Sequence, residues 1–313
     1  MIRLSYILAT DTFATIRPVV DRLRRQTVRQ EIELVLIAPH RSLVEAALAH
    51  QDEFGGILIV EHPVDDLAEA RALGIRGAAG AAVFVGETHS YPHPEMVERL
   101  LAAMEQGYQC AAPGMGNANP VSARSWAGFL SDYGLWWSTL PGGEIQRFML
   151  YNAAFSRDAL LALGERLAPA LSHGDELPLR MAAAGHRIRF VPEARLDHVN
   201  VAVPRHWTYE RYAAGRLIAF HRSRQWSVAR RWFYALCSPA IPFVLMWRVL
   251  PGIAAAARGT PLPAGTLPLI AGGFLVKGAG ELTGYLAGQV DEAERLMQEY
   301  EVHKLAYAGR GKS

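Results

Sequence analysis

The chain has 313 residues, half of them hydrophobic, with 32 Lys and Arg against 30 Asp and Glu and a formal charge of +2. That length suits one large α/β domain with an attachment, because a single core rarely grows beyond about 250–300 residues. The near-neutral balance gives no reason to expect a nucleic-acid partner. The only two cysteines, Cys110 and Cys237, lie far apart and in no metal-ligand spacing, which argues against a disulfide framework and fits a reducing compartment.

Residues 1–10 are apolar without a basic leader or a small-residue cleavage site, so they predict a buried first strand at 4–9 rather than an export signal. A helix at 15–26 follows, with Ile16, Val19, Val20 and Leu23 on one face and arginines on the other. A second strand at 33–38 ends at Pro39, a second helix spans 42–50, and a continuous apolar run at 56–60 predicts a third strand buried on both faces. A short helix at 67–73 precedes a strand at 81–85, stopped by Gly86, and a helix at 95–106 turns Met96, Val97, Leu100, Leu101 and Met104 inward. This alternation is the pattern of βαβ units around a mostly parallel, Rossmann-like sheet.

The stretch 111–137, rich in Gly, Pro and aromatics, gives no clear element. Beyond it the pattern predicts a strand at 148–155, helices at 157–163 and 176–184, the latter closed by Gly185, a strand at 187–191 and a helix at 209–224. Between His206 and Arg231 stand six arginines, with Trp207 and Trp226 among them, ahead of an apolar run at 232–247. Such a stretch reads as a membrane-surface anchor, with a solvated helix face as the alternative. The apolar run has 16 residues and holds Pro239 and Pro242, and a helix of that length reaches about 24 Å against a hydrocarbon core of about 30 Å. A second run at 267–276 leads through Lys277 to Glu281, a costly residue at mid-bilayer. Both runs predict helices lying in or dipping into one leaflet, the alternative being a buried helical pair or a dimer contact, and 292–305 predicts a polar terminal helix.

In a parallel sheet ligands bind beyond the carboxyl ends of the strands. Thr10 and Asp11 follow the first strand, and Glu87 and His89 follow the fourth, spaced so that both can reach one divalent cation. The run from Ala70 through Arg71, Gly74, Gly77 and Ala78-Ala79-Gly80 into Val83–His89, then Pro92 and Pro94, resembles the donor-site block of family 2 glycosyltransferases. In that family the block ends in an Asp-x-Asp metal motif, for which this chain has Glu87-Thr88-His89. The segment Tyr151-Asn152-Ala153-Ala154-Phe155-Ser156-Arg157 is similar to the one lining the family's acceptor side. His173-Gly174-Asp175-Glu176 through Arg180, Gly185 to Ile188, Val191-Pro192-Glu193-Ala194 and His198 resemble its acidic catalytic block and closing His.

The resemblance implies a GT-A fold over residues 1–225, a membrane-associated helical region at 226–290 and a polar C-terminal helix and tail at 291–313. It implies an inverting transferase that moves a sugar from a nucleoside diphosphate sugar to a lipid-linked or nascent glycan acceptor, at the cytoplasmic face of the cell membrane. Thr10, Asp11, Arg71, Glu87, His89 and Asn152 would bind the donor, and Glu87, His89 and His198 would hold Mg²⁺ or Mn²⁺. Asp175 would be the base, with Glu176 second; anchoring on Arg180 instead would put Gly174 at that position. The family's nucleotide-base Asp after the second strand has no match, since Ala38 and Pro39 stand there, and Arg224, Gln225 and Trp226 only faintly resemble a synthase motif. A non-catalytic GT-A-like binding protein is the alternative. A sugar nucleotidyltransferase should open with a glycine-rich loop, whereas residues 8–13 contain no glycine.

Overall fold

The computed structural model describes residues 1–172, 176–287 and 289–309. Its chain divides into two compact units, Met1–Gly116 with Pro141–Asp197, and Asn117–Leu140 with His198–Ser313.

The first unit is built on a mixed sheet, nine-stranded among the described residues, in the order β3-β2-β1-β4-β8-β6-β9-β5, with β7 pairing β9. The strands are β1 (Leu4–Ala9), β2 (Ile32–Ala38), β3 (Gly56–Glu61), β4 (Ala82–Val85), β5 (Ser90–Pro92), β6 (Cys110–Asn117), β7 (Gly143–Ile145), β8 (Ala153–Ser156) and β9 (Ile188–His198). β1 to β4 run parallel, β1 between β2 and β4, and β8 turns the direction by pairing antiparallel with both β4 and β6. Every residue of β1 and β2 is buried, as suits largely apolar central strands, and their two polar residues, Ser5 and Glu33, are hydrogen-bonded to each other. α1 (Phe13–Leu23) turns Phe13, Ile16, Val19, Val20 and Leu23 inward, α2 (Leu67–Gly77) packs on β1 and β2, and α3 (Met96–Glu105) buries Met96, Val97, Leu100 and Leu101. Asp66 starts α2 by accepting from the amides of Ala68 and Glu69. α5 (Arg157–Leu161), α6 (Leu167–Ser172) and α7 (Glu176–Ala183) complete this unit, and Gly185 takes a φ of 73° just past α7.

Several expectations are corrected. The second helix is absent: Arg41–Leu43 and Glu45–Glu53 are 3₁₀ turns with a single buried residue, Ala47. β3 is the edge strand of the sheet among the described residues and is partly exposed along its length. The strand expected at 148–155 shrinks to β8, while that expected at 187–191 extends to the 11 residues of β9. The unassigned stretch holds β6 and α4 (Ala123–Tyr133).

The second unit is helical. It contains α4, α8 (Pro204–Ser223), α9 (Val228–Cys237), α10 (Ile241–Gly259), α11 (Thr266–Leu286) and α12 (Asp291–His303), with α11 packed against α4, α8, α9 and α10. The contact between α8 and α11 is backbone-close: a Cβ on Gly215 would lie 2.1 Å from the Lys277 carbonyl, and one on Gly280 2.2 Å from that of Tyr212. Trp207 and Arg211 are buried, Arg211 held by Asp132 at 2.6 Å and Glu210 at 2.8 Å, so these two of the expected anchor residues are interior. Glu281 is buried too, with the Tyr285 hydroxyl 3.3 Å and Arg222 3.6 Å away. The prolines do not cut the apolar run short. Pro239 lies in a 3₁₀ turn and Pro242 in the first turn of α10, where a missing amide hydrogen costs nothing, so the helical stretch Val228–Gly259 is long and apolar enough to cross a membrane by length and composition.

Candidate active site

The carboxyl ends of β1 and β4 lie side by side, Ile7 opposite Val85, so the residues that leave them share one edge of the sheet. Thr10 is buried and donates to the carbonyl of Thr12. Asp11 accepts from the amide of Thr12 at 2.7 Å and the hydroxyl of Thr15 at 2.6 Å, which fixes the entry into α1.

Beyond β4 the chain buries Glu87, Thr88, His89 and Ser90 in succession. Such a polar run inside a core must be hydrogen-bonded, and it is. Glu87 Oε2 accepts from the Ser90 hydroxyl at 2.7 Å and from Asn152 Nδ2 at 2.5 Å, and His89 Nε2 lies 3.4 Å from the same oxygen. The antiparallel register brings Asn152 there: Ala153 pairs with Val85, and the Asn152 amide donates to the Val85 carbonyl at 2.7 Å. Asn152 holds a left-handed backbone, φ 60°, which an asparagine tolerates better than most residues. Its Oδ1 is buried without a hydrogen-bond partner among the described residues. Tyr6 lies under the cluster, stacked on Phe84 at 4.6 Å, and its hydroxyl is pushed far above the usual phenol range by burial and then by the Glu87 charge. Gly86 lets the chain pass this ring, since a Cβ there would come 2.4 Å from it.

Arg71, on α2, is buried with its guanidinium 3.8 Å from the centre of the Tyr151 ring, next in sequence to Asn152. The Ala79-Gly80 step has a framework role: the Ala79 amide donates to Glu33 Oε2 at 2.8 Å and the Gly80 amide to the Ser5 hydroxyl at 2.9 Å, tying the approach of β4 to β1 and β2. Glu176 opens α7 with its carboxylate engaged by Arg180 at 2.6 Å. Asp175, with His173 and Gly174, lies outside the described residues.

His198 belongs to the second unit, where the Tyr133 hydroxyl is 3.0 Å from Nε2 and Asn200 Oδ1 is 3.0 Å from Nδ1. Asn200 Nδ2 is directed at Asn117 Oδ1 at 3.0 Å, so Oδ1 faces the imidazole and Nδ1 carries the proton. Burial first, then the Lys304 charge, holds His198 well below the usual histidine range. Asn117, Asn119 and Ser125 complete this network, with the Ser125 hydroxyl 2.9 Å from Asn119 Oδ1. The sequence reading missed it together with Ser90. The available signal was the pair Asn117-x-Asn119 at the end of a strand hidden in a glycine-rich stretch.

A run of parallel strands, an antiparallel reversal at β8 and a buried acidic turn after β4 define a GT-A glycosyltransferase. The chain belongs to glycosyl transferase family 2, whose family model matches residues 7–163. Among solved structures it is similar to the mannosyltransferase PcManGT from Pyrobaculum calidifontis in complex with GDP-Man and Mn²⁺, at 16% identity and a TM-score of 0.50 over 96% of this chain and 87% of that one. GalNAc-T7 with UDP, GalNAc and Mn²⁺ is similar at 15% identity and a TM-score of 0.50, over 63% of this chain and 44% of that one. S. aureus TarS 1-349 with UDP aligns at 14% identity and a TM-score of 0.49, over 96% and 93% of the two chains. These likenesses concern the fold. Curated protein sequences give no significant match.

Proposed function

We propose that the chain transfers a sugar, with inversion, from a nucleoside diphosphate sugar to a lipid-linked or nascent glycan acceptor at the cytoplasmic face of the cell membrane. The observation that carries this reading is the buried Glu87 cluster at the carboxyl ends of the parallel strands, inside the stretch that matches the family. The structures of similar fold solved with GDP-Man and Mn²⁺ or with UDP, GalNAc and Mn²⁺ support a nucleotide-sugar donor.

Glu87 and His89 fit a Mg²⁺ or Mn²⁺ ion: a carboxylate and an imidazole nitrogen lie 3.4 Å apart, and the orphaned Asn152 Oδ1 is a further oxygen donor. When bound, the cation would offset the charge of the departing diphosphate. The family resemblance assigns His198 a ligand role. Thr10 and Asp11, at the end of β1, are placed to meet the nucleotide, and Arg71 holds Tyr151, the neighbour of Asn152.

For the base we keep Asp175, which takes the acceptor hydroxyl proton as that oxygen attacks the anomeric carbon. Glu176 is the weaker candidate because Arg180 already engages its carboxylate. The test is single-turnover transfer by Asp175→Asn and Glu176→Gln variants. A loss of at least about a hundredfold in the first alone supports the assignment, following the usual weight of general-base catalysis; full transfer by Asp175→Asn overturns it. The departure of Glu87-Thr88-His89 from two aspartates favours one second reading, a binding protein without catalysis, and donor binding without any turnover would identify it.

A further inference from the structure

The helical unit carries an apolar face that its own chain leaves open. Along α9 and α10 the side chains that face inward, Ala235, Pro242, Val249 and Ile253, recur at helical spacing. Beside that inward line, Trp232 is 54% exposed, Leu236 76%, Phe243 77% and Trp247 77%. Large aromatic and aliphatic groups exposed in register over several turns are far beyond the scattered apolar residues of an ordinary surface.

The geometry points to this face as the surface that inserts into one leaflet of an anionic bilayer, with α9 and α10 lying in the membrane plane. The inference deepens the membrane association proposed above by naming the surface and its mode, and it stands on the helices independently of the donor chemistry. Three features choose the occupant. First, the two helices that carry the stripe, Val228–Gly259, contain no Asp or Glu but four arginines, of which Arg230, Arg248 and Arg258 are exposed. Anionic headgroups complement that rim. A second copy would instead set the same cations against one another with no acidic group in this stretch to pair them. Second, the two exposed tryptophans, Trp232 and Trp247, bound the stripe at its two ends, and indole rings favour the headgroup boundary where an in-plane helix lies. Third, a crossing is disfavoured by the same geometry: one side of Val228–Gly259 is already committed to α11, and its 32 residues would extend about 48 Å through a core of about 30 Å with Arg248 inside it.

The experiment is co-sedimentation of the purified full chain with phosphatidylcholine vesicles made with and without phosphatidylglycerol, for wild type, Phe243→Asp and Trp247→Asp. Both side chains are exposed, so the variants should keep the fold and the donor hydrolysis of wild type in detergent; that parallel assay separates failure here from failure of the transferase reading. The expected result is binding to the anionic vesicles, reduced at least about tenfold by either variant. Topology is read by an impermeant maleimide on Gln225→Cys and Ala264→Cys, exposed positions just outside the two ends of Val228–Gly259, each in a Cys237→Ser background in which buried Cys110 stays silent. Labelling of both sites on intact vesicles supports the in-plane mode. Labelling of only one shows a crossing and overturns it. Absence of vesicle binding, binding that neither variant weakens, or a vesicle-free dimer dissolved by both variants also overturns the inference.

Discussion

Asn152 concentrates two constraints in one side chain. It sits in the left-handed region, and its amide fixes the oxygen of Glu87 that also faces His89. Asn152→Ala should therefore cost about 2–3 kcal/mol in denaturant unfolding, from backbone strain plus a lost bond to a charged group. It should also lower donor turnover at least about tenfold, since about 1.4 kcal/mol of misplacement suffices for that. Gly86 is constrained by space: Gly86→Ala sets a methyl 2.4 Å from the buried Tyr6 ring and should cost about 1–3 kcal/mol by the same measurement. At this scale the residues after β1 and β4 were legible because strand ends announce a site, and Asn152 through the family resemblance. Ser90 was not, since a lone serine in a three-residue strand has no pattern, and no spacing tells that it will meet Glu87.

Among the elements, short and largely apolar runs made β1, β2 and β4 readable, and the 3.6-residue period gave α1 and α3 to within three residues. β6 escaped because its neighbour demands small residues: a Cβ on Gly114 would come 2.3 Å from the Pro192 carbonyl, so the strand is written in Ala, Pro and Gly rather than in β-branched residues. Similar crowding ties α8 to α11, and Gly280→Leu should unfold the helical unit at lower denaturant by about 3 kcal/mol or more, because backbone cannot yield to a side chain. The link between α4 and α8 should depend on pH. Desolvation alone would raise the Asp132 carboxyl, but Arg211 and then Lys277 pull it further down, leaving it below the usual carboxylate range. A carboxyl with a depressed folded value contributes stability that is present above its unfolded value of about 3.9 and lost as pH falls through the folded one. Asp132→Asn should thus flatten the acid side of the stability profile and cost about 1 kcal/mol at neutral pH, the low end because the side chain is 36% exposed.

For the whole molecule, the family and the GT-A sheet were present in the order of short motifs, none sufficient alone. The helical unit was harder to read. Its cations serve both interior bonds, as Arg211 does, and an exposed rim, and sequence alone does not separate the two. The apolar run at 232–247 is too short for a crossing when it is ended before Arg248, whereas the helical stretch continues through Arg248 to Gly259 and tolerates Pro242 in the first turn of α10. In the reaction proposed above, this chain uses a nucleoside diphosphate sugar through the Glu87 cluster. The most direct measurement is diphosphate-nucleotide release from a panel of nucleoside diphosphate sugars, with and without Mn²⁺ or Mg²⁺, by wild type and Glu87→Ala. The expected result is cation-stimulated release from one donor, abolished in the variant; turnover that Glu87→Ala leaves intact would show that the cluster does not serve the reaction.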